Sequence, residues 1–308
     1  MSSKLAVALM ILVGQVAIAP SARGQDRTKY YTVQHPTEFA INWKGFYEEA
    51  DRLTAEVRKQ LPHTLDQAYG MDPKQQLDVY LPAMKPASAP VFIFLHGGGF
   101  REGDRAHYGF VAKPLAANGI VTVVASYRLL PAAHYPDQFN DTQQIVEWVY
   151  RNIASHGGDP TRIYIGGHSA GAMLTAQVGV NTAWLTRRSL PDGIIKGCVP
   201  MSGTYDLDKR VGDYVPDVSR RAEANPMTNI TKPAAHWIIS VGSAENSRPP
   251  ILPADSEAFG AKLREKGVSA DVIVLQELDH SQTALALGDA RSPLVQAILA
   301  MVRSTPGL

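Results

Sequence analysis

Ser169 stands in the run Gly-His-Ser-Ala-Gly at 167–171, between the strand-like RIYIGG and the helical AGAMLTAQV. A strand that turns at once into a helix strains the residue at the bend and projects its side chain above the sheet edge. Flanking glycines remove the Cβ atoms that would collide there. The Ser169 hydroxyl is then at a helix N-terminus, where positive partial charge favours a developing oxyanion. The five-residue pattern alone carries little weight, since chance produces it in a chain of this length on the order of one time in ten. The strand–turn–helix setting lifts it above a plain glycine-rich turn.

A second glycine cluster, HGGGF at 96–100, closes the apolar run VFIFL. Three glycines at a strand end let backbone N–H groups point inward without side-chain obstruction. The N–H groups of Gly98 and Gly99, joined by that of Ala170 after the serine, are the expected oxyanion donors. Each such donor supports a transition state by about 3–4 kcal/mol. His96 is expected to orient this loop rather than to react.

A serine hydroxyl needs a neighbouring base. Of nine histidines, only His236 and His280 follow Ser169. Around a strand-to-helix nucleophile the chain order is Ser, acid, His. His236 opens a buried strand and leaves no earlier strand end for the acid. His280, in LDHSQT just after an apolar strand, is the expected base. The acid, which must hold the imidazole tautomer, belongs on the loop after the preceding strand. Glu245, in VGSAEN, fits that place. Asp255 is the competitor, but it also reads as a helix N-cap. Asp279 adjoins His280, and neighbouring side chains diverge too far for the bond.

Elements that could position these groups follow a regular rhythm. VFIFLHG (91–97), VTVVASY (121–127), RIYIGG (162–167), GCVPMSG (197–203), HWIISVG (236–242) and DVIVLQEL (271–278) read as strands. Most are continuously apolar, as parallel strands covered on both faces are. QLDVYLP (76–82) reads as a strand of an antiparallel edge. Helical spacing appears in 138–154, 255–266 and 290–303, with Asp255 and Gly267 as caps of the second. Strands alternating with helices predict an α/β fold with a mostly parallel sheet and helices on both faces. Two segments break the rhythm: a helix over 38–61, and the long polar stretch 204–235, both expected to form cap and pocket walls.

Composition narrows the classes. The 308 residues carry 30 Lys plus Arg against 29 Asp plus Glu, so no basic surplus points to nucleic acid. With one cysteine, an internal disulfide and cysteine-clustered metal sites are excluded. Cys198 lies in an apolar strand and reads as core. Residues 1–24 read as a secretory signal: Lys4 precedes an apolar run over 5–19 that is short for a membrane anchor, and Ala22 and Gly24 offer a cleavage site. The expectation is an exported chain with a single domain over 25–308 and no stable membrane anchor.

Taken together, YG…QQLDVYLP, HGGGF..GDR, YRLLPAA.YPDQ, GGDP.RI.IGGHSAGA, SGTYDL and LDHSQT resemble the α/β-hydrolase family, in its esterase/lipase branch with the HGGG loop, over about 69–303. The likeness is nearest to small carboxylesterases, feruloyl-esterase-like proteins and kynurenine formamidases. It implies an α/β-hydrolase fold with a small helical cap, no metal or organic cofactor and a small-molecule ester substrate. It also implies Ser169 as nucleophile, His280 as base, and Gly98, Gly99 and Ala170 as oxyanion donors. Tyr127, Arg128 and Asp206 match the family's motifs and read as structural. The chain departs from the pattern at Glu245, where many members have Asp, and in the following NSRPPILP. Formamidases of the group often carry an aromatic at the third loop glycine; Gly99 is retained, which favours esters. The expectations are ester hydrolysis, then aryl formamide hydrolysis, then a binding module without catalysis.

Overall fold

The computed structural model describes residues 43–84, 88–208, 213–245 and 252–305. The signal segment expected over 1–24 and the first part of the helix expected over 38–61 lie outside them.

The apolar runs form one eight-stranded sheet in the order β1-β2-β4-β3-β5-β6-β7-β8. Its strands are β1 (His63–Ala68), β2 (Gln76–Tyr80), β3 (Ala89–Leu95), β4 (Val121–Ala125), β5 (Gly158–His168), β6 (Ile195–Met201), β7 (His236–Gly242) and β8 (Ser269–Leu275). From β4 across to β8 neighbouring strands run parallel, whereas β2 is antiparallel to both β4 and β1. The sequence reading of β2 as antiparallel holds, but β1 is the outer strand. HTLDQA is polar and has no fully buried residue, so it lacks the apolar signature of a strand. A register shift between Thr64 and Gln67 interrupts its pairing.

Helices cover both faces: α1 (Trp43–Gln60), α2 (Ala112–Ala116), α3 (Asp137–Asn152), α4 (Ala170–Val180), α5 (Trp184–Arg187), α6 (Arg221–Ala224), α7 (Leu252–Glu265), α8 (His280–Leu285) and α9 (Pro293–Ser304). Alternation along β3 decides which face each side chain serves. Val91, Ile93 and Leu95 join one core with Ile145, Val149 and Leu174 of α3 and α4 and Phe259 of α7. Phe92 and Phe94 join the other with Phe46 of α1 and Leu294 and Ile298 of α9. Helix α4 is buried at every position, which sets it in the middle of the molecule.

Two expectations need correction. Asp255 does not cap α7, because the helix begins three residues earlier at Leu252. Pro253 is tolerated there, since the first turn has no use for its missing N–H. Of the segment 204–235, residues 204–208 and 213–235 hold little helix: beyond a short 3-10 turn at Val218–Arg220, α6 is the one helical stretch among the described residues.

Candidate active site

β5 ends at His168 and α4 begins at Ala170, so Ser169 alone makes the turn, at φ 55° and ψ −111°. A left-handed φ on a non-glycine residue costs energy that the surroundings must supply. They do so by close packing. A Cβ on Gly171 would lie 2.2 Å from the Leu95 carbonyl oxygen, and one on Gly167 2.4 Å from the Gly171 carbonyl oxygen. The Ser169 N–H also donates to the Met201 carbonyl at 2.9 Å, tying the bend to β6.

The Ser169 hydroxyl lies 2.9 Å from Nε2 of His280, the first residue of α8. On the ring's other side, Nδ1 lies 2.6 Å from Glu245 Oε2. A carboxylate only accepts, so Nδ1 carries the proton and Nε2 presents its lone pair to Ser169. Glu245 follows β7 and is almost wholly buried. Its other oxygen accepts the Gly242 N–H at 2.8 Å and the Ser202 hydroxyl at 2.6 Å. The three residues picked from the sequence thus meet from the C-terminal ends of β5, β7 and β8, where open parallel sheets place their ligand crevices.

Asp255 is elsewhere engaged: it is buried, and its Oδ2 accepts the Tyr205 N–H at 2.8 Å. Asp279 caps α8 in a reciprocal box with Gln282. His236 opens β7, at the opposite strand end from Glu245.

Gly98 and Gly99 adopt φ values of 119° and 60° after β3. A Cβ on Gly98 would lie 2.0 Å from the Glu102 carbonyl oxygen, so the loop closes where only glycine fits. Among the described residues the N–H groups of Gly98, Gly99 and Ala170 meet no protein acceptor. That of Ala170 is one of the first-turn groups a helix cannot satisfy internally. His96 beneath the loop is fully buried, donates from Nδ1 to the Gly97 carbonyl at 2.7 Å, and stacks on Tyr127 at 4.4 Å. Burial drives its pKa down to about 4, so it stays neutral and structural. Tyr127 donates to the His96 carbonyl at 2.7 Å, and Arg128 grips buried Asp141 with two of its nitrogens. Cys198 is buried core.

The sequence reading passed over two neighbours. His168 is buried and donates from Nε2 to the His280 carbonyl at 2.7 Å; burial and the His280 ring hold its pKa well below the usual histidine range. Ser202, after β6, has a left-handed φ of 53° and touches Glu245. Neither had a local signal beyond standing at a strand end. The wall 213–235 reaches the loop as well: Tyr214 stacks face to face on Phe100 at 3.9 Å, and Asp213 pairs with Arg101. Among the described residues no group of three or more His, Cys, Asp or Glu side chains could hold a metal ion.

A family model described as BD-FAE matches residues 77–225. Kynurenine formamidase of Danio rerio is 28% identical over 257 residues, covering 81% of this chain and 85% of its own. Esterase LipC of Mycobacterium tuberculosis is 28% identical over 255 residues, covering 74% of this chain; the chain spans 62% of LipC. The solved structure of esterase B from Lactobacillus rhamnosis superposes with a TM-score of 0.70 over 85% of this chain and 91% of its own, at 18% identity, a likeness of fold. The sheet order and the superposition show an α/β-hydrolase fold, and the likeness to esterases and a formamidase supports a hydrolase of the esterase–lipase kind.

Proposed function

We propose that the chain hydrolyses carboxylic esters through an acyl-enzyme on Ser169. The observation that carries this reading is the continuous path from Ser169 Oγ through the His280 ring to Glu245, with contacts of 2.9 and 2.6 Å. Nε2 of His280 takes the hydroxyl proton as Oγ forms a bond to the ester carbonyl carbon. The carbonyl oxygen gains the negative charge and is met by the N–H groups of Gly98, Gly99 and Ala170, which have no competing acceptor among the described residues. Glu245 stabilises the imidazolium formed at that moment. The tetrahedral centre then collapses, and His280 returns the proton to the departing alkoxide. Water then gives a proton to the same nitrogen as its oxygen bonds to the acyl carbon, and the C–Oγ bond breaks as His280 returns that proton to Ser169, releasing the acid.

A second reading keeps the machinery and changes the bond to an aryl formamide. The formamidase relative, matched over most of its length, favours it. Comparing p-nitrophenyl acetate, butyrate and a hydroxycinnamate ester with an aryl formamide, on wild type and Ser169→Ala, separates the two. The expected result is faster turnover of at least one ester than of the formamide, and loss of at least about 10⁴-fold in the alanine variant. Faster formamide cleavage would move the assignment to the second reading, and ester turnover surviving in Ser169→Ala would remove the serine mechanism.

Export completes the proposal. The N-terminal run expected to be a signal predicts that chain recovered from the periplasm or medium of a bacterial host begins at Gln25. An intact Met1 on cytoplasmic protein is the contrary result.

A further inference from the structure

We infer that Ser202, with Thr283 behind it, is a positioning residue that fixes the Glu245 carboxylate against His280; this rests on the proposed roles of Glu245 and His280. Ser202 Oγ lies 2.6 Å from Glu245 Oε1, while Oε2 faces His280. The direction of that bond is not in question, because an ionised carboxylate has no proton to give. Ser202 therefore spends its single proton on Glu245 and has only lone pairs left for its other neighbour. That neighbour is the Thr283 hydroxyl at 2.8 Å. The single Thr283 proton serves either Ser202 Oγ or the His280 carbonyl at 2.8 Å, whose second lone pair accepts the His168 Nε2–H at 2.7 Å. Ser202 O–H donates to Glu245, and when the Thr283 proton turns toward Ser202 it polarises that bond.

Geometry explains why the serine is where it is. β6 ends at Met201, and Ser202 turns away at φ 53°, a backbone conformation that costs energy for any residue with a Cβ. Its own N–H is held by the Ser240 carbonyl at 2.7 Å. A glycine would make this turn without strain, yet the position carries a hydroxyl, and that hydroxyl is buried against the acid. With the Gly242 N–H as the second donor, Oε1 is held from two sides, so Oε2 has one direction left, toward Nδ1. The ionisable groups that act on the carboxylate are His280, which it touches, and Tyr205; His168 lies against His280, Asp279 caps α8 and Asp255 holds the Tyr205 N–H. Asp279 is occupied in capping α8 and Asp255 by the Tyr205 N–H, so neither takes over the task of Ser202.

Ser202→Gly tests this without obstructing the fold, since it relieves the left-handed turn while deleting the hydroxyl. The expected outcome is kcat/KM on p-nitrophenyl acetate about tenfold lower, the loss of one hydrogen bond to a charged group. The acidic limb of the kcat/KM profile should rise by about half a pH unit, because a carboxylate robbed of a donor draws the imidazole proton more strongly. The melting temperature should not fall. Thr283→Val should lower kcat/KM by itself and have little further effect in the Ser202→Gly background. The downfield His280 Nδ1–H proton resonance supplies a readout that needs no turnover, and its titration should move in the same direction. A limb and a resonance that both stay in place, with only the melting temperature changed, would make Ser202 structural and overturn the inference. A wild type that cleaves neither ester nor formamide would instead sink the hydrolase proposal, and the resonance would still decide the role of Ser202.

Discussion

Glu245 and Asp255 are buried carboxylates ten positions apart, and their hydrogen-bond partners separate them. Glu245 faces an imidazole that must become positive during turnover, whereas Asp255 faces a backbone N–H that never changes charge. Glu245→Gln should therefore cut kcat by about 10²–10⁴-fold, less than Ser169→Ala, because serine and imidazole remain with a misdirected tautomer. Asp255→Asn keeps an acceptor for Tyr205 and should leave kcat within about threefold of wild type while lowering stability by about 1 kcal/mol. Parallel kinetics and urea unfolding of the two variants check both, and a reversal of the two phenotypes would make Asp255 the acid. Ser169, His280 and Glu245 were legible because the chemistry restricts residue type and the strand rhythm restricts place. Ser202 and His168 were not, because their partners are 43 and 112 positions away and nothing local marks a residue that serves another side chain.

At the scale of elements, the bend between β5 and α4 and the loop after β3 both use glycine, for different reasons. Helix α4 comes so close to the end of β3 that a methyl on Gly171 would strike the Leu95 and His96 carbonyl oxygens, and neither backbone can retreat without opening the sheet. Around Gly99 there is open space within 4 Å, so a methyl costs only the left-handed strain of φ 60°. Gly171→Ala should abolish soluble, folded protein or remove several kcal/mol of its stability, whereas Gly99→Ala should fold with a loss of about 1–2 kcal/mol. The second variant should still lose activity, because relaxing the left-handed strain turns away the N–H proposed to meet the oxyanion. Circular dichroism melts beside ester turnover separate these outcomes, and a Gly171→Ala protein as stable as wild type would contradict the packing argument. The motif GHSAG announced the bend, but how closely α4 rides on β3 is a tertiary fact that no local pattern carries. The same holds for Tyr214, which reads as part of a polar excursion yet lies flat on Phe100 beside the loop.

Across the whole molecule, the order of strands and helices was readable because apolar runs of strand length alternate with 3.6-residue stripes, while the polar edge strand β1 was not. What the sequence could not tell is which histidines the fold would bury uncharged, and that has a consequence for global stability. His96 is held neutral, its pKa lowered by burial from 6.5 to about 4, and His168 is lowered in the same direction. An unfolded chain protonates these rings near pH 6.5 and the native chain does not, so the unfolded state binds more protons as pH falls and stability drops. From His96 alone the expected loss between pH 7 and pH 5 is about 2 kcal/mol, and His168 adds to it. Carboxylates with depressed values, such as Asp289 beside the Arg291 guanidinium, contribute stability that is lost only as pH falls below about 4, outside this window. Urea unfolding at pH 7, 6 and 5 should therefore show a falling midpoint at constant slope. His96→Asn, which retains a donor for the Gly97 carbonyl but cannot take up a proton, should flatten that fall even though its stability at pH 7 is lower. Equal pH dependence in wild type and variant would mean that His96 is not held neutral by the fold.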